Sequence, residues 1–338
     1  MVSIIIPHWN GVDILEECLS SLLQTRYADR EIIVVDNAST DDSVATIKTS
    51  FPSVIVVEND ENRGYAGGCN TGAAQAQGDI LVFLNNDTVQ DPGWLEPLVN
   101  IFTHDSAVAA VQPKIKNYYQ RDLFDYAGGA GGEMDMFCFP FARGRIFTTL
   151  EEDKGQYDDS IPIFWASGTA LAVRAAVFKA AGGFDESFFA HMEEIDLCWR
   201  FHLMNYTVRS APASVVYHKN AVTLPATSAK KYYLNHRNSL VMLLTNYRLP
   251  ATIYLFPIRF GLELLALLYA LIQRDWNHIA GILRALVWVV FHPGYIRRKR
   301  RKVQRLRNRT DREIMGKMYS GSIVVAYYLL RRKFYSDI

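Results

Sequence analysis

Ile80–Asp87 reads ILVFLNND, five apolar residues that run directly into two amides and a carboxylate. A short apolar run bounded by polar residues reads as a strand buried on both faces, its polar end at the rim of a sheet. The same grammar repeats towards the N-terminus. Gly68–Gln77 is a small-residue helix, Val54–Glu58 a strand, and Ser39–Ser50 a helix that opens on Ser-Thr-Asp-Asp. Glu31–Asp36 (EIIVVD) is another strand. Asp13–Gln24 puts Ile14, Leu15, Cys18, Leu19, Leu22 and Leu23 on one helical face, and Val2–Pro7 is the first strand. Strands alternating with helices predict βαβ units and an open, mostly parallel α/β sheet. Ligands of such sheets bind beyond the carboxyl ends of the strands. Four of those ends are polar: His8-Trp9-Asn10, Asp36-Asn37, Asn59-Asp60 and Asn85-Asn86-Asp87. One wet strand end is ordinary capping; four together predict a site.

Downstream, the glycine- and aromatic-rich Gln112–Ile161, with GGAGG at 128–132, reads as irregular hairpin and loop material, a flap. Ile163–Val173 resumes as strand, Ala175–Ala181 is a short helix, Glu193–Met204 a longer one, and Ser214–Tyr217 a last strand. The 338 residues carry a net charge of only +1, but unevenly. Up to Ser228 there are 15 Lys/Arg against 30 Asp/Glu; from Ala229 onward there are 21 against 5. With 49% hydrophobic residues the acidic body has ample material for a core, which excludes disorder. In the basic tail, Lys230–Tyr247 reads as a helix. Ala251–Ile272 is long and apolar, but Pro257, Arg259 and Glu263 make it a poor spanning candidate. Ile279–Phe291 is too short to span, and Arg297–Arg309 holds nine Lys/Arg in thirteen residues. Apolar segments bordered by basic clusters predict helices lying in the interface of an anionic membrane. Soluble helical packing or homo-oligomerisation is the alternative, and nucleic acid is disfavoured because the acidic body would repel it. Four scattered cysteines and an N-terminus without a basic, apolar leader predict a cytosolic chain with reduced thiols and no signal peptide.

The run PHWNG (7–11), VVDNASTDDS (34–43), ENRGYAGGCNTG (61–72) and FLNND (83–87) resembles the nucleotide-sugar half of a family 2 inverting glycosyltransferase of GT-A fold. SGTALAVR (167–174), GGFDESFFAHMEEIDLCWR (182–200) and VYHKNAVT (216–223) resemble that family's acceptor half, with the rhamnosyltransferase-like branch the nearest flavour. The resemblance divides the chain into a nucleotide-sugar half (1–110), an acceptor and catalytic half (111–228) and a basic helical region (229–338). It implies that Pro7, Trp9 and Asn10 line the nucleotide and that Asp36 accepts from the base ring N–H. Arg63, Gly64, Gly67, Gly68 and Asn70 match the loop and helix start beneath ribose and diphosphate. There, glycines permit close backbone approach. Asn85, Asn86 and Asp87 match the D-x-D metal motif with its first aspartate replaced. Asp87 is then the ligand for Mg²⁺ or Mn²⁺, with His218 a second ligand or diphosphate contact, and Asn85 faces ribose or a metal-bound water.

The family's base lies in Glu-Asp-x-Asp, which reads Glu193-Glu194-Ile195-Asp196 here. Asp196 can pair with Arg200 on the same helical face, leaving Glu194 the preferred base, with Glu193 next. Ser167, Gly168, Thr169 and Asp185 are expected to shape the acceptor side, with Trp165 a sugar-stacking candidate. The implied reaction moves a sugar, rhamnose from a dTDP donor or a UDP-sugar, to a lipid-linked or polysaccharide acceptor at the cytoplasmic face of the inner membrane. A sugar-phosphate nucleotidyltransferase, or a catalytically degenerate nucleotide-sugar-binding partner, are the competing readings.

Overall fold

The computed structural model describes residues 1–219 and 228–338; Asn220–Thr223 of the VYHKNAVT motif lie outside the described residues. The N-terminal half runs β1 (Val2–His8), α1 (Val12–Leu23), β2 (Arg30–Asp36), α2 (Ser43–Ser50), β3 (Ile55–Glu58), α3 (Gly64–Gln75), β4 (Ile80–Leu84), β5 (Thr88–Gln90), α4 (Leu95–His104) and β6 (Val108–Asn117). Then come β7 (Gly132–Met134), β8 (Pro140–Ala142), β9 (Arg145–Ile146), β10 (Thr149–Leu150), β11 (Pro162–Ile163), β12 (Ala170–Arg174), α5 (Ala175–Ala181), α6 (Glu193–Leu203) and β13 (Thr207–His218). The tail holds α7 (Ala229–Asn246), α8 (Leu249–Gln273), α9 (Trp276–Phe291), α10 (Pro293–Arg305), α11 (Asp311–Met315) and α12 (Ile323–Tyr328).

Nine strands form one sheet in the order β11-β13-β6-β12-β4-β1-β2-β3, with β5 paired to β13. β1 is parallel to β2 and β4, and β2 to β3, as expected for βαβ units. The antiparallel β12 then joins β4 to β6. Every residue of β1 and β4 is buried, which is why β4 reads as an unbroken apolar run and β1 departs from one only at Ser3 and His8. Successive residues of these strands enter opposite cores. Ile4, Ile6, Val34 and Val82 meet α1 and α4, while Ile5, Val35, Leu81 and Phe83 face α3, α5, α6 and the tail. Val241, Met242, Tyr247, Leu255, Val303 and Ile314 belong to this second core, so the basic tail packs continuously with the acidic body.

Several expectations need correction. Gln112–Ile161 is no loose flap. It completes β6 in the main sheet and then builds a four-stranded antiparallel sheet, β10-β9-β8-β7, whose glycines admit neighbouring side chains. A Cβ on Gly132, for example, would lie 2.1 Å from the Trp165 ring. Ile163–Val173 is two strands, β11 and β12, broken at the SGT segment. The last strand is twelve residues long, from Thr207. Helix α3 starts at Gly64, at φ +68°, four residues early, so Gly67 and Gly68 sit inside it. Helix α8 runs unbroken through Pro257 and, at 25 residues with an 18-residue stretch of mean hydropathy 1.9, is long and apolar enough to cross a membrane. The charges counted against it, Arg259 and Glu263, are four residues apart and pair with each other on the buried side. All four cysteines are free and buried.

Candidate active site

A cavity of about 650 Å³ opens where the strand ends expected it, between the N-terminal half, the SGT segment and the start of α6. Pro7, Trp9, Gly64, Asn85, Asn86, Asp87, Trp165, Ser167, Gly168, Thr169, Glu193, Glu194 and His218 all line it. Residues more than a hundred positions apart in sequence are thereby brought into one space.

The chain end of β4 is fixed by the sheet itself. Asn85 N–H donates to the Thr169 carbonyl at 3.0 Å, and Thr88 Oγ1 donates to the Asn85 carbonyl at 2.7 Å. This turn leaves Asp87 buried with its Oδ1 3.2 Å from His218 Nε2, though out of line for a hydrogen bond, so that oxygen has no hydrogen-bond partner among the described residues. His218 Nδ1 lies 2.9 Å from Asp125 Oδ1, and Asp125 is fully buried. Burial opposes charge on His218, but the Asp87 and Asp125 carboxylates overcome it and push its pKa up to about 10. Burial likewise works against the Asp87 carboxylate, and His218 outweighs it, holding that group below its ordinary value. Asn85 Nδ2 stands 3.4 Å from His218 Nε2, and Asn86 Nδ2 stands 2.9 Å from His8 Nδ1. An unpartnered buried carboxylate oxygen beside an imidazole whose other nitrogen is anchored by a carboxylate suits a divalent cation, which would displace the imidazolium proton to reach Nε2. Among the described residues no three His, Cys, Asp or Glu side chains converge as ligands. The pair therefore fits an ion that completes its shell with water and phosphate oxygens.

Glu193 and Glu194 stand at the start of α6, behind a loop that folds against its local preferences. Phe189, His191 and Met192 have φ of 63°, 67° and 71°. Helix α7 holds that loop: Asn238 Nδ2 donates to the carbonyls of Phe188 (3.2 Å), Ala190 (3.1 Å) and His191 (2.7 Å). Arg237 Nη2 adds bonds to the Ser187 carbonyl at 2.7 Å and the Phe188 carbonyl at 3.2 Å. Oε2 of each glutamate is buried without a hydrogen-bond partner among the described residues. Burial, and then the Glu194 charge, raise Glu193 well above the ordinary range, and burial raises Glu194 to about 7. Such a carboxylate takes a proton more readily at neutral pH than an exposed one.

The other expected residues lie outside the cavity wall. Asn10 donates to and accepts from Thr40. Asp36 caps Ser39 N–H at 3.0 Å and keeps Oδ1 free. Arg63 pairs with Glu186 at 2.7 Å, and Asn70 bonds both backbone polar groups of Phe184. A Cβ on Gly68 would come within 2.9 Å of Asn37 and Pro7, so its bareness lets α3 approach the sheet. Asp185 caps the turn Glu186–Phe188 and pairs with Lys299. Asp196, fully buried, binds Arg200 at 3.0 Å as expected, together with Lys299 and Asn246. Of the acceptor set, Ser167 Oγ donates to the Ala127 carbonyl, and Trp165 Nε1 to the Glu133 carbonyl at 2.7 Å. Sequence reading missed Asp125, Arg145, Lys230, Lys231 and Asn238. No motif marks them, because they come from the glycine-rich insert and the tail.

Residues 3–178 match the family model described as Glycosyl transferase family 2. The chain belongs to this family. O-antigen biosynthesis protein RfbC of Myxococcus xanthus is 31% identical over 230 residues, 65% of this chain but 17% of that protein, so the chain spans about a sixth of this relative. N-acetylglucosaminyl-diphospho-decaprenol L-rhamnosyltransferase of Mycobacterium tuberculosis is 25% identical over 68% of this chain and 79% of its own. GalNAc-T7, crystallised with UDP, GalNAc and Mn²⁺, superposes with a TM-score of 0.61 at 17% identity over 76% of this chain and 49% of that one. S. aureus TarS 1–349 with UDP covers 94% of this chain and 92% of its own at a TM-score of 0.53 and 17% identity. These structures share the GT-A fold. As a family 2 glycosyltransferase the chain is an enzyme, and the nucleotidyltransferase reading falls.

Proposed function

We propose that this glycosyltransferase uses a divalent metal and inverts the anomeric centre of a nucleotide-bound sugar, with dTDP-rhamnose the first donor to test and UDP-sugars next. The acceptor is a lipid-linked sugar or a growing polysaccharide of the cell surface. The observation that carries this reading is one cavity joining the Asp87–His218 pair to the two glutamates of α6 whose Oε2 atoms have no partner among the described residues. The rhamnosyltransferase and O-antigen names of the relatives support it. A metal ion held by Asp87 and His218 would supply positive charge for the departing diphosphate.

The chain's own groups divide the remaining work. Glu194 Oε2 accepts the proton of the acceptor hydroxyl as that oxygen attacks, with Glu193 held protonated beside it. Asn238 and Arg237 keep the loop, and so the base, in register. Trp165, fixed through its indole N–H, presents a ring to a sugar.

We further propose a location at the cytoplasmic face of a membrane, a reading that the surface of the tail supports. With Arg259 and Glu263 turned inward, the outer face of α8 exposes Ile253, Tyr254, Leu265, Leu268 and Ile272, and α9 adds Trp276, Val290 and Phe291. An apolar face of this size beside the basic α10 favours in-plane insertion among anionic headgroups. The test is a panel of nucleotide sugars with Mg²⁺ or Mn²⁺, product configuration being read by NMR. Transfer with inversion is expected from a dTDP- or UDP-sugar. Retention of configuration, or no sugar nucleotide turned over, would refute the reading.

A further inference from the structure

Arg145, on β9, lines the active-site cavity at 8% exposure. Among the described residues its guanidinium has no carboxylate in ion-pair range and Nε has no hydrogen-bond partner; the Tyr126 ring lies 4.7 Å away, and the nearby Asp125 carboxylate is taken up by His218. Other deeply buried cations are satisfied. Lys114 meets Asp153, Arg200 meets Asp196, Arg259 meets Glu263 and Lys299 meets Asp185 and Asp196, while Arg143 and Arg237 donate to backbone carbonyls. A buried charge held by neither an ion pair nor a carbonyl is costly to keep, so its persistence in a cavity asks for an anionic ligand.

A second set of groups faces the same space independently. Lys230 and Lys231 line the cavity from the first turn of α7, an 18-residue helix capped by Ser228, whose N-terminal dipole favours anions. Neither lysine pairs with a carboxylate among the described residues. Lys230 Nζ lies over the Phe189 ring at 4.3 Å, and Lys231 Nζ lies 5.8 Å from the same Tyr126 ring that carries Arg145. Two cations gathered on one ring repel each other unless an anion sits between them.

We propose that Arg145, Lys230, Lys231 and the start of α7 form a phosphate subsite that binds a diphosphate ester within the cavity. The same chemistry is offered by the diphosphate of a nucleotide donor and by that of a lipid-linked acceptor. The inference rests on the cavity being the glycosyl-transfer site, but its test needs no transfer.

Binding of inorganic pyrophosphate, dTDP and farnesyl diphosphate is measured calorimetrically on the full chain without divalent metal, alongside the thermal midpoint of each unliganded variant. Arg145→Met should weaken pyrophosphate binding about tenfold or more, the scale of a lost charge-assisted hydrogen bond. It should also leave the unliganded midpoint equal or higher, because an uncompensated buried charge has gone. Lys231→Gln should weaken binding in the same direction, and carries the test if Arg145→Met folds poorly. Arg301→Gln, exposed on α10, should change nothing. Loss confined to dTDP assigns the subsite to the donor, and loss confined to farnesyl diphosphate assigns it to the acceptor. Loss of both identifies a shared diphosphate seat. A wild-type chain that binds pyrophosphate through Arg145 but no nucleoside diphosphate would sink the sugar-nucleotide reading and leave the subsite standing. No pyrophosphate binding by wild type would overturn the proposal, as would variants that bind it unchanged.

Discussion

Replacing Asn238 by alanine isolates how the tail sustains catalysis. Asn238 is fully buried, and its amide is the common donor to three successive stretches of the loop that ends at Glu193. Phe189, His191 and Met192 occupy backbone regions that disfavour side chains, at about 1–3 kcal/mol each. Removing the amide also strands buried carbonyls, the shortest bond being 2.7 Å to His191, at about 1–3 kcal/mol. The strained loop then has little reason to keep its conformation. Because Glu194 owes its raised pKa to burial, a relaxed loop should also let that value fall towards the ordinary carboxylate range. Steady-state transfer across pH 5–9 measures both effects. Asn238→Ala is expected to lower kcat about 10–100-fold, on the scale of those energies. The acidic limb of its pH profile should move to lower pH, with donor KM changed less than about threefold. Asn238→Asp should be no better, since a carboxylate cannot donate to carbonyls. Wild-type kcat with an unmoved pH profile would refute the claim that α7 positions the base.

Glu194→Gln should abolish transfer while retaining thermal stabilisation by the donor's nucleoside diphosphate, and Glu193→Gln should be milder. With Glu194 raised from 4.5 to about 7, wild-type kcat should decline as pH falls below about 7, since the base must be ionised. For stability the sign is opposite: the folded chain holds this proton more tightly than the unfolded one, a gain complete below pH 4.5 and lost as pH rises through about 7. Denaturant titration should therefore find Glu194→Gln gaining on wild type at pH 8 relative to pH 4. Lys299→Met removes the cation shared by Asp185 and Asp196 and should cost about 1–3 kcal/mol in urea unfolding, the scale of lost charge-assisted hydrogen bonds, since Asp196 keeps Arg200. Leu268→Glu with Ile272→Glu on the exposed face of α8 should reduce flotation with anionic liposomes and leave dTDP binding unaltered.

Much of the donor half was legible because its physics is local. A strand buried on both faces must be apolar throughout, and a site at strand ends must be polar there, so Asp87 and Asn85 announce themselves. The helix carrying Glu193, Glu194 and Asp196 was readable for a similar reason, down to the Asp196–Arg200 pair four residues apart. Long-range partners left no such trace. Asp125 reaches His218 across 93 positions, and Asn238 reaches His191 across 47. Neither separation carries a period. The glycines at 128–132 looked like loop because backbone freedom and close packing share one composition; Gly132 under Trp165 is the second case. Arg259 and Glu263 misled for a related reason: a charge counted along the chain weighs against membrane contact, whereas one paired on the inner side of a helix does not.

The bonds from α7 to the loop before Glu193 also bear on how the enzyme can be recombined. The charge reversal at residue 229 invites a splice there, as though a catalytic cassette ended and an interchangeable anchor began. A chimaera cut at that point would receive a foreign donor in place of Asn238 and a foreign helix start in place of Lys230 and Lys231. A cut after Tyr247 is no cleaner, because Lys299 pairs with Asp185 and Asp196 of the body, and Val303 and Ile314 lie in its core. Grafts that carry the whole tail with the body should keep the base aligned; grafts that leave α7 behind should fold around a misaligned one.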